Sequence, residues 1–252
     1  MQTMSLIKNR LVQFVAALGV CIIAILLFLW LSADHRQKTP GETPVSFSVS
    51  APESFTFFDL TAGSRFTDAL RSDLRERLGA DAYETRTIID LELHDKGFMA
   101  ANFPDLDALN RQLNYLPRER VEHDTVQLTY RYARNQNTPF EFVRIMLSGA
   151  SGAPLYIKIQ AKQEGGGVLD AIKEKYGPPS LTRNWADANG KSHFWEKYGD
   201  ILIISETRNR SGVPQYYFGF YFVNNIKALL EKEQAVRLQR RKDLEKSGQT
   251  AF

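Results

Sequence analysis

Cysteine is almost absent from this sequence of 252 residues. The single cysteine, Cys21, lies inside an apolar run near the N-terminus. The rest of the chain therefore has no disulfide framework, no thiol nucleophile and no cysteine metal site. The histidines His35, His94, His123 and His193 are scattered, and none lies three or four residues from another, as helical metal ligands do. The sequence predicts no metal centre and no cofactor.

A large excess of charge of one sign is also missing. The chain has 32 basic and 29 acidic residues, which leaves a net charge of +3. So small an excess gives no reason to expect a nucleic-acid partner. The hydrophobic fraction of 43% and the charged fraction of 24% are ordinary for a folded protein. We therefore expect a globular part with a real core.

Catalytic motifs are present only in fragments. The Gly-Lys-Ser sequence at 190–192 resembles the end of a phosphate loop, but Trp185 stands where that motif needs a glycine. Ser151 lies in Gly-Ala-Ser-Gly-Ala, which lacks the last glycine of a nucleophile elbow. The glycines at 165–167 could offer backbone N–H groups to an anion, although a flexible joint before a helix explains them too. We predict no enzymatic activity, and an envelope hydrolase with an unrecognised site is left open.

The strongest positive signal is an apolar run over residues 11–33. About 20 such residues in a helix span a hydrocarbon core of roughly 30 Å. Lys8 and Arg10 precede the run, so the positive-inside rule places the N-terminus in the cytoplasm and the remaining chain outside. We predict an uncleaved anchor in a bacterial inner membrane with a periplasmic domain. A cleaved signal peptide, a lipoprotein signal around Cys21 and an endomembrane location are the alternatives.

Beyond the run, the apolar spacing alternates between helical and extended patterns. It predicts helices over 66–78, between Pro104 and Pro117, and over 165–176, each with a glycine or proline at its end. Asn189-Gly190 is typical of a tight type I′ hairpin, and the strand at 126–132 reads as half-buried. The predicted strands cover 47–49, 55–60, 84–93, 126–132, 140–147, 155–159, 200–206 and 214–223.

Helices that alternate with antiparallel meanders indicate an α+β fold rather than a parallel βαβ sheet. A repeat is suggested because Asp-Ala-Leu-Arg at 68–71 leads to Leu78-Gly79, while Asp-Ala-Ile-Lys at 170–173 leads to Tyr176-Gly177. The predicted organisation is a cytoplasmic N-terminus 1–10, a transmembrane anchor 11–33, a linker 34–46, an α+β domain 47–223 with possible halves 47–162 and 163–223, and a charged C-terminal helix or tail 224–252.

Aromatic residues line both faces of the strand predicted at 214–223. A central strand between two layers explains this pattern, and a recognition surface explains it as well, because interface cores favour tyrosine, tryptophan and phenylalanine. Gly219 leaves a gap where a backbone or ligand could approach. The residues of the possible interaction surface are Trp185, Trp195, Tyr216, Tyr217, Phe218 and Tyr221.

One stretch resembles a known family. Glycines at 165–167, Ile172, the Tyr-Gly-Pro-Pro sequence at 176–179 and a following meander with Trp195 resemble the BamE-like (SmpA/OmlA) periplasmic module over residues 165–222. The lipid-modified N-terminal cysteine of that family is missing. The resemblance implies a small α+β module that binds other envelope proteins and supports assembly.

Together these patterns predict a single-pass inner-membrane protein whose periplasmic domain is a non-catalytic interaction or assembly module in an envelope complex. The membrane, through residues 11–33, and other envelope proteins are the expected partners. The alternative is a periplasmic domain that binds a lipid, glycan or peptide beside the aromatic strand.

Overall fold

The computed structural model describes residues 54–93, 97–114, 121–185 and 189–249. The predicted anchor 11–33, the linker 34–46 and the strand at 47–49 lie outside these residues. Among the helices in the described part of the chain, none is both long and apolar enough to cross a membrane.

The described residues form five α-helices and eight β-strands, with a short 3-10 helix at Ala133–Gln136. The helices are α1 (Asp68–Leu78), α2 (Phe98–Asn102), α3 (Pro104–Leu113), α4 (Gly165–Tyr176) and α5 (Val223–Gln249). The strands are β1 (Ala82–Thr85), β2 (Thr125–Tyr130), β3 (Phe140–Ser148), β4 (Pro154–Ala161), β5 (Leu181–Asn184), β6 (Gly190–Lys197), β7 (Asp200–Arg208) and β8 (Pro214–Tyr221).

All eight strands belong to one sheet, in the order β1-β2-β3-β4-β8-β7-β6-β5. Every neighbouring pair is antiparallel. The sheet therefore consists of two four-strand meanders that meet where β4 pairs with β8, from Tyr156 opposite Tyr221 to Ala161 opposite Tyr216. This arrangement confirms the predicted α+β class and its antiparallel meanders.

Helices lie on both faces of the sheet. Neighbouring residues of a strand point to opposite faces, so they belong to different cores. Ile145 belongs to a core shared with α1 and α4, and we call this side the front face. Met146, the next residue, belongs to a second core shared with α2, α3 and α5, and we call this side the back face. Helices therefore pack against both faces of the sheet.

Glycines fix the ends of the two helices on the front face. The N-terminus of α1 is capped by the side chain of Thr67, which accepts a hydrogen bond from the Leu70 N–H at 3.1 Å. Gly79 ends α1 with φ of 87°, and Gly177 ends α4 with φ of 84°. These positive angles are strained for any residue with a side chain, so glycine is required at both positions.

The strand predicted at 84–93 is wrong beyond Thr85. Ile89, Leu91 and Leu93 are buried at alternate positions, which is the pattern that the sequence shows. Their segment bonds to side chains instead of to a strand: the Asn110 Oδ1 accepts from Leu91 N–H at 2.9 Å, and Asn114 donates to the Ile89 carbonyl at 2.8 Å. Burial at every second residue indicates an extended backbone, but it does not show which groups form hydrogen bonds with that backbone.

Three smaller predictions also need correction. The strand at 55–60 reduces to a single bridge between Phe57 and Leu60. Strand β2 is buried on both sides rather than half-buried, because helices cover both faces of the sheet. Asn189-Gly190 does not form a two-residue turn, since Lys191 lies opposite Asn184 and Gly190 already belongs to β6.

Candidate interaction groove

The six residues predicted as an interaction surface do not lie together. Trp195, Tyr216 and Phe218 belong to the front core, whereas Tyr221, Tyr217 and Trp185 pack in the back core. Four of the six are at most 8% exposed, and only Tyr217 and Trp185 are half-buried. Binding by this set stays a prediction, but the four buried residues hold the layers together in this conformation.

Gly219 leaves no open gap, because the ring of Tyr221 fills it. A Cβ atom at Gly219 would lie 2.7 Å from the Tyr221 ring. The Tyr221 hydroxyl donates to the Leu91 carbonyl at 2.8 Å, and burial raises the pKa of this hydroxyl well above its usual value. The glycine therefore lets Tyr221 tie the central strand to the segment that covers the back face.

The glycine-rich fragments also have packing roles. A Cβ at Gly165 would lie 2.6 Å from the ring of Tyr216, so this glycine allows α4 to approach β8. Ser151 sits in the β3–β4 turn, where its carbonyl accepts from Arg65 at 2.7 Å. The hydroxyl of Ser192 is buried in the sheet and accepts from the Trp185 indole N–H at 2.9 Å. Ser192 is therefore not available to a phosphate in this conformation.

The described histidines make two different contacts. Nδ1 of His193 lies 3.0 Å from the Thr182 hydroxyl, its Nε2 is buried without a partner, and burial lowers its pKa. Within the described part of the chain, no acid bonds to this imidazole, as orienting the base of a nucleophile–base pair would require. Among the described residues, no group of three or more His, Cys, Asp or Glu residues could hold a metal ion.

His123 instead fastens α5 to the domain. Its Nδ1 lies 2.7 Å from Oε2 of Glu233, and its Nε2 lies 3.0 Å from the Leu113 carbonyl at the end of α3. Burial raises the pKa of Glu233, but the bonds from His123 and from the Asp124 N–H, with the nearby charges of His123 and Arg237, lower it below its usual value overall. The sequence could not indicate this pair, since 110 positions separate its members.

Two cavities of about 820 and 700 Å³ flank α5. Some of their polar groups bond to other parts of the chain. Glu233 is bonded to His123 in the first, while Asn225 in the second donates to the carbonyls of Ala62 at 2.9 Å and Pro154 at 2.8 Å. The buried carboxyl of Asp200, whose pKa is raised by burial, accepts from Ser54.

A third cavity, of about 500 Å³, lies on the back face between α3, the start of α5 and strands β5 to β7. We call it the back groove. Its floor is apolar, and the rings of Phe103 and Phe194 stack there with centroids 5.7 Å apart. Phe194 and Ile201 are only half-buried, so the helices leave part of the sheet uncovered here. The apolar lining consists of Phe103, Pro104, Leu106, Leu109, Leu181, Phe194, Ile201 and Val223.

Charged side chains of both signs surround the back groove. Arg183 and Lys227 are basic, Asp105 and Glu196 are acidic, and all four are exposed. Among the described residues none of the four has an opposite charge within 4.0 Å. Arg183 donates instead to the Asn102 carbonyl at 2.7 Å. An apolar floor with a polar rim resembles the central pocket of a protein interface.

Sequence reasoning did not find the back groove. Its residues come from four separate parts of the chain, which only the fold brings together. Leu181, 41% exposed, could have been noticed as an apolar residue two positions after the Pro-Pro stop of α4.

Comparison with known proteins found no matching family model, no similar curated protein and no similar solved structure. The predicted resemblance to the BamE-like module therefore stays a prediction.

Proposed function

We propose that the chain is a single-pass inner-membrane protein whose periplasmic domain is a non-catalytic interaction module, acting as an accessory subunit of an envelope complex. The domain binds a partner protein through the back groove. The observation that carries this proposal is an apolar floor, partly exposed at Phe194 and Ile201, beneath a rim of four charges that have no ion-pair partner among the described residues. Burying such a floor against a partner removes apolar surface from water.

The charges of the rim favour a polypeptide partner. Two basic and two acidic side chains balance each other, so the groove has no net attraction for a nucleic acid or an anionic surface. A protein segment can match both signs at once, which gives specificity as well as affinity.

The decisive experiment is photo-crosslinking of the full-length protein in native membranes. A crosslinking residue at Leu181, an exposed residue of the apolar lining, should capture one partner that also co-purifies stoichiometrically in mild detergent. The matched control is Glu76, which is exposed on α1 at the front face. Equal capture from both positions, or a monomer without a protein partner, contradicts the proposal.

A periplasmic lipid-, glycan- or peptide-binding domain is the second candidate, favoured by the same apolar floor. A volume of about 500 Å³ lies within the usual range for small-molecule sites. A monomer that retains a lipid or sugar through mild purification would establish this candidate. The anchor at 11–33 is tested separately, because a mature N-terminus near Asp34 would show that the anchor is cleaved.

The order of elements supports a repeat of two halves, 47–162 and 163–223. Each half places one front-face helix, a glycine cap and a four-strand meander in the same sequence. The resemblance of residues 165–222 to the BamE-like module is consistent with this proposal, since it covers the helix and meander of the second half.

A further inference from the structure

The outer edge of β5 borders the back groove and offers backbone groups to a partner. Trp185 lies opposite Gly190, and its N–H donates to the Gly190 carbonyl at 2.9 Å. Hydrogen-bonded and non-bonded pairs alternate along an antiparallel ladder. Arg183 and Leu181 therefore bond inward to β6, whereas Thr182 and Asn184 direct their N–H and C=O groups outward.

No described residue bonds to this outer edge, and all four residues of β5 are exposed. An edge strand with unpaired backbone groups is a template for another strand. Main-chain bonding gives affinity in such complexes, and pockets for alternate side chains give specificity.

Two side chains of β5 point to the same face of the sheet as the back groove. Leu181 lies opposite Phe194 and Arg183 lies opposite Ser192, so both point to the back face. Both also line the groove. A strand added beside β5 would therefore place every second side chain next to Leu181 and extend the apolar floor.

We infer that the partner segment is an extended peptide that adds to β5 as a ninth strand. Its apolar residues occupy alternate positions on the side of the back groove, and its charged residues, of both signs, meet Arg183, Lys227, Asp105 and Glu196. This inference rests on the proposed function and specifies how the partner is recognised.

Strand β1, at the other edge of the sheet, provides a built-in control. Arg86 N–H donates to the Thr125 carbonyl at 2.9 Å, so the same alternation directs the backbone groups of Tyr83 and Thr85 outward. All four residues of β1 are exposed, as in β5. The back groove, however, includes no residue of β1. Thr85 and Asn184 therefore both direct backbone groups outward from an exposed edge strand, but only Asn184 belongs to a strand that borders the back groove.

The test uses the full-length protein in mild detergent and a displayed library of random 12-residue peptides as the probe. Peptides selected on the wild-type protein are synthesised with a fluorophore, and their Kd values are measured by fluorescence anisotropy. Asn184→Pro removes one outward donor and should weaken binding about tenfold, because proline cannot donate to an added strand. Thr85→Pro should change Kd less than about twofold, and Leu181→Asp should weaken binding at least as much as Asn184→Pro.

The outcomes separate the inference from the function on which it rests. If Leu181→Asp abolishes binding and Asn184→Pro leaves it unchanged, strand addition is overturned and the groove remains a binding site. Binding that neither variant affects, or a library without any binder, overturns both. Equal weakening by Thr85→Pro and Asn184→Pro also overturns the inference.

Hydrogen exchange of the wild-type protein gives a readout that needs no folded proline variant. Bound peptide should slow exchange of the Thr182 and Asn184 amides and leave those of Tyr83 and Thr85 unchanged. Unchanged exchange at Thr182 and Asn184 under saturating peptide overturns the inference.

Discussion

The two halves of the sheet have the same order of elements but carry different additions. In the first half α1 precedes β1 to β4, and in the second half α4 precedes β5 to β8. In each case the glycine after the helix bonds through its N–H to the carbonyl four residues earlier, Arg75 or Lys173, at 2.9 Å. Only the first half has a long segment, 86–124, between its first two strands, and only the second is followed by α5.

This difference explains why the two faces of the domain are unequal. The helices that the halves have in common, α1 and α4, both cover the front face. The back face is covered by the additions, α2, α3 and α5, and the back groove lies where α3 and α5 leave the sheet bare. Shared elements therefore build the scaffold, and unshared elements build the candidate site.

The largest effect should come from the contact between α4 and β8 on the front face. Gly165→Ala would place a methyl group 2.6 Å from the buried ring of Tyr216, and we expect a loss of about 3 kcal/mol in the free energy of unfolding. Gly167→Ala, in the same helix with nothing within 4 Å, should instead gain about 0.5 kcal/mol. Denaturant unfolding of both variants measures the difference, and equal values would contradict the packing role of Gly165.

The matched glycine caps test the equivalence of the halves directly. Gly79→Ala and Gly177→Ala should each lower the free energy of unfolding by about 2 kcal/mol, because both glycines have positive φ and extended ψ. The same unfolding experiment should give two values that agree within about 0.5 kcal/mol. One tolerated substitution beside one damaging substitution would show that the two helix ends are not equivalent.

The attachment of α5 tests the added layer. Glu233→Gln should lower the free energy of unfolding by about 1.5 kcal/mol at neutral pH, because the buried contact with His123 loses its charged acceptor. Hydrogen exchange should accelerate in α5 and stay unchanged in β3 and β4. Glu231→Gln, at an exposed position of the same helix, is the control.

The same pair predicts a pH dependence with a defined sign. The pKa of Glu233 is lower in the folded protein than its usual 4.5, so its stabilising contribution is complete above that value. The contribution is lost as pH falls through the lowered pKa. Glu233→Gln should therefore flatten the acid limb of the stability profile, and an unchanged profile would contradict the assignment.

The smallest expected effect concerns Lys158, which fastens the segment 90–92 to the back face. Its amine donates to the carbonyls of Asp90, at 2.6 Å, and Glu92, and burial lowers its pKa from 10.5 to about 8. The unfolded chain then binds more protons than the folded protein between these values, so stability should rise with pH. We expect a gain of about 1 kcal/mol from pH 8 to 9, measured against Lys158→Met, which should lack the gain.

Much of the fold was predictable because local spacing determines it. Leu74 and Leu78 of α1 and Leu169 and Ile172 of α4 are buried at helical intervals, and Gly79 and Gly177 end both helices as expected. The antiparallel sheet was predictable from the short strand-like segments that alternate with helical segments along the chain. The segment after Thr85 was predicted incorrectly because side chains of Asn110 and Asn114, distant in sequence, satisfy its backbone.

The candidate site was not predictable for a related reason. The sequence drew attention to the aromatic residues of β8, but the pairing of β8 between β4 and β7 buries most of them. Phe103 and Phe194 meet only because the segment 86–124 folds over the second half of the sheet. No local pattern contains such a contact between distant segments.

Helix α5 has a geometric consequence of its own. From Gln234 to Ser247 its described side chains are exposed, so this part extends past its contacts with the sheet. A rise of 1.5 Å per residue gives it a length of about 20 Å. The far end of α5 therefore stands about that far from the His123–Glu233 pair, since the length of a regular helix follows from its residue count.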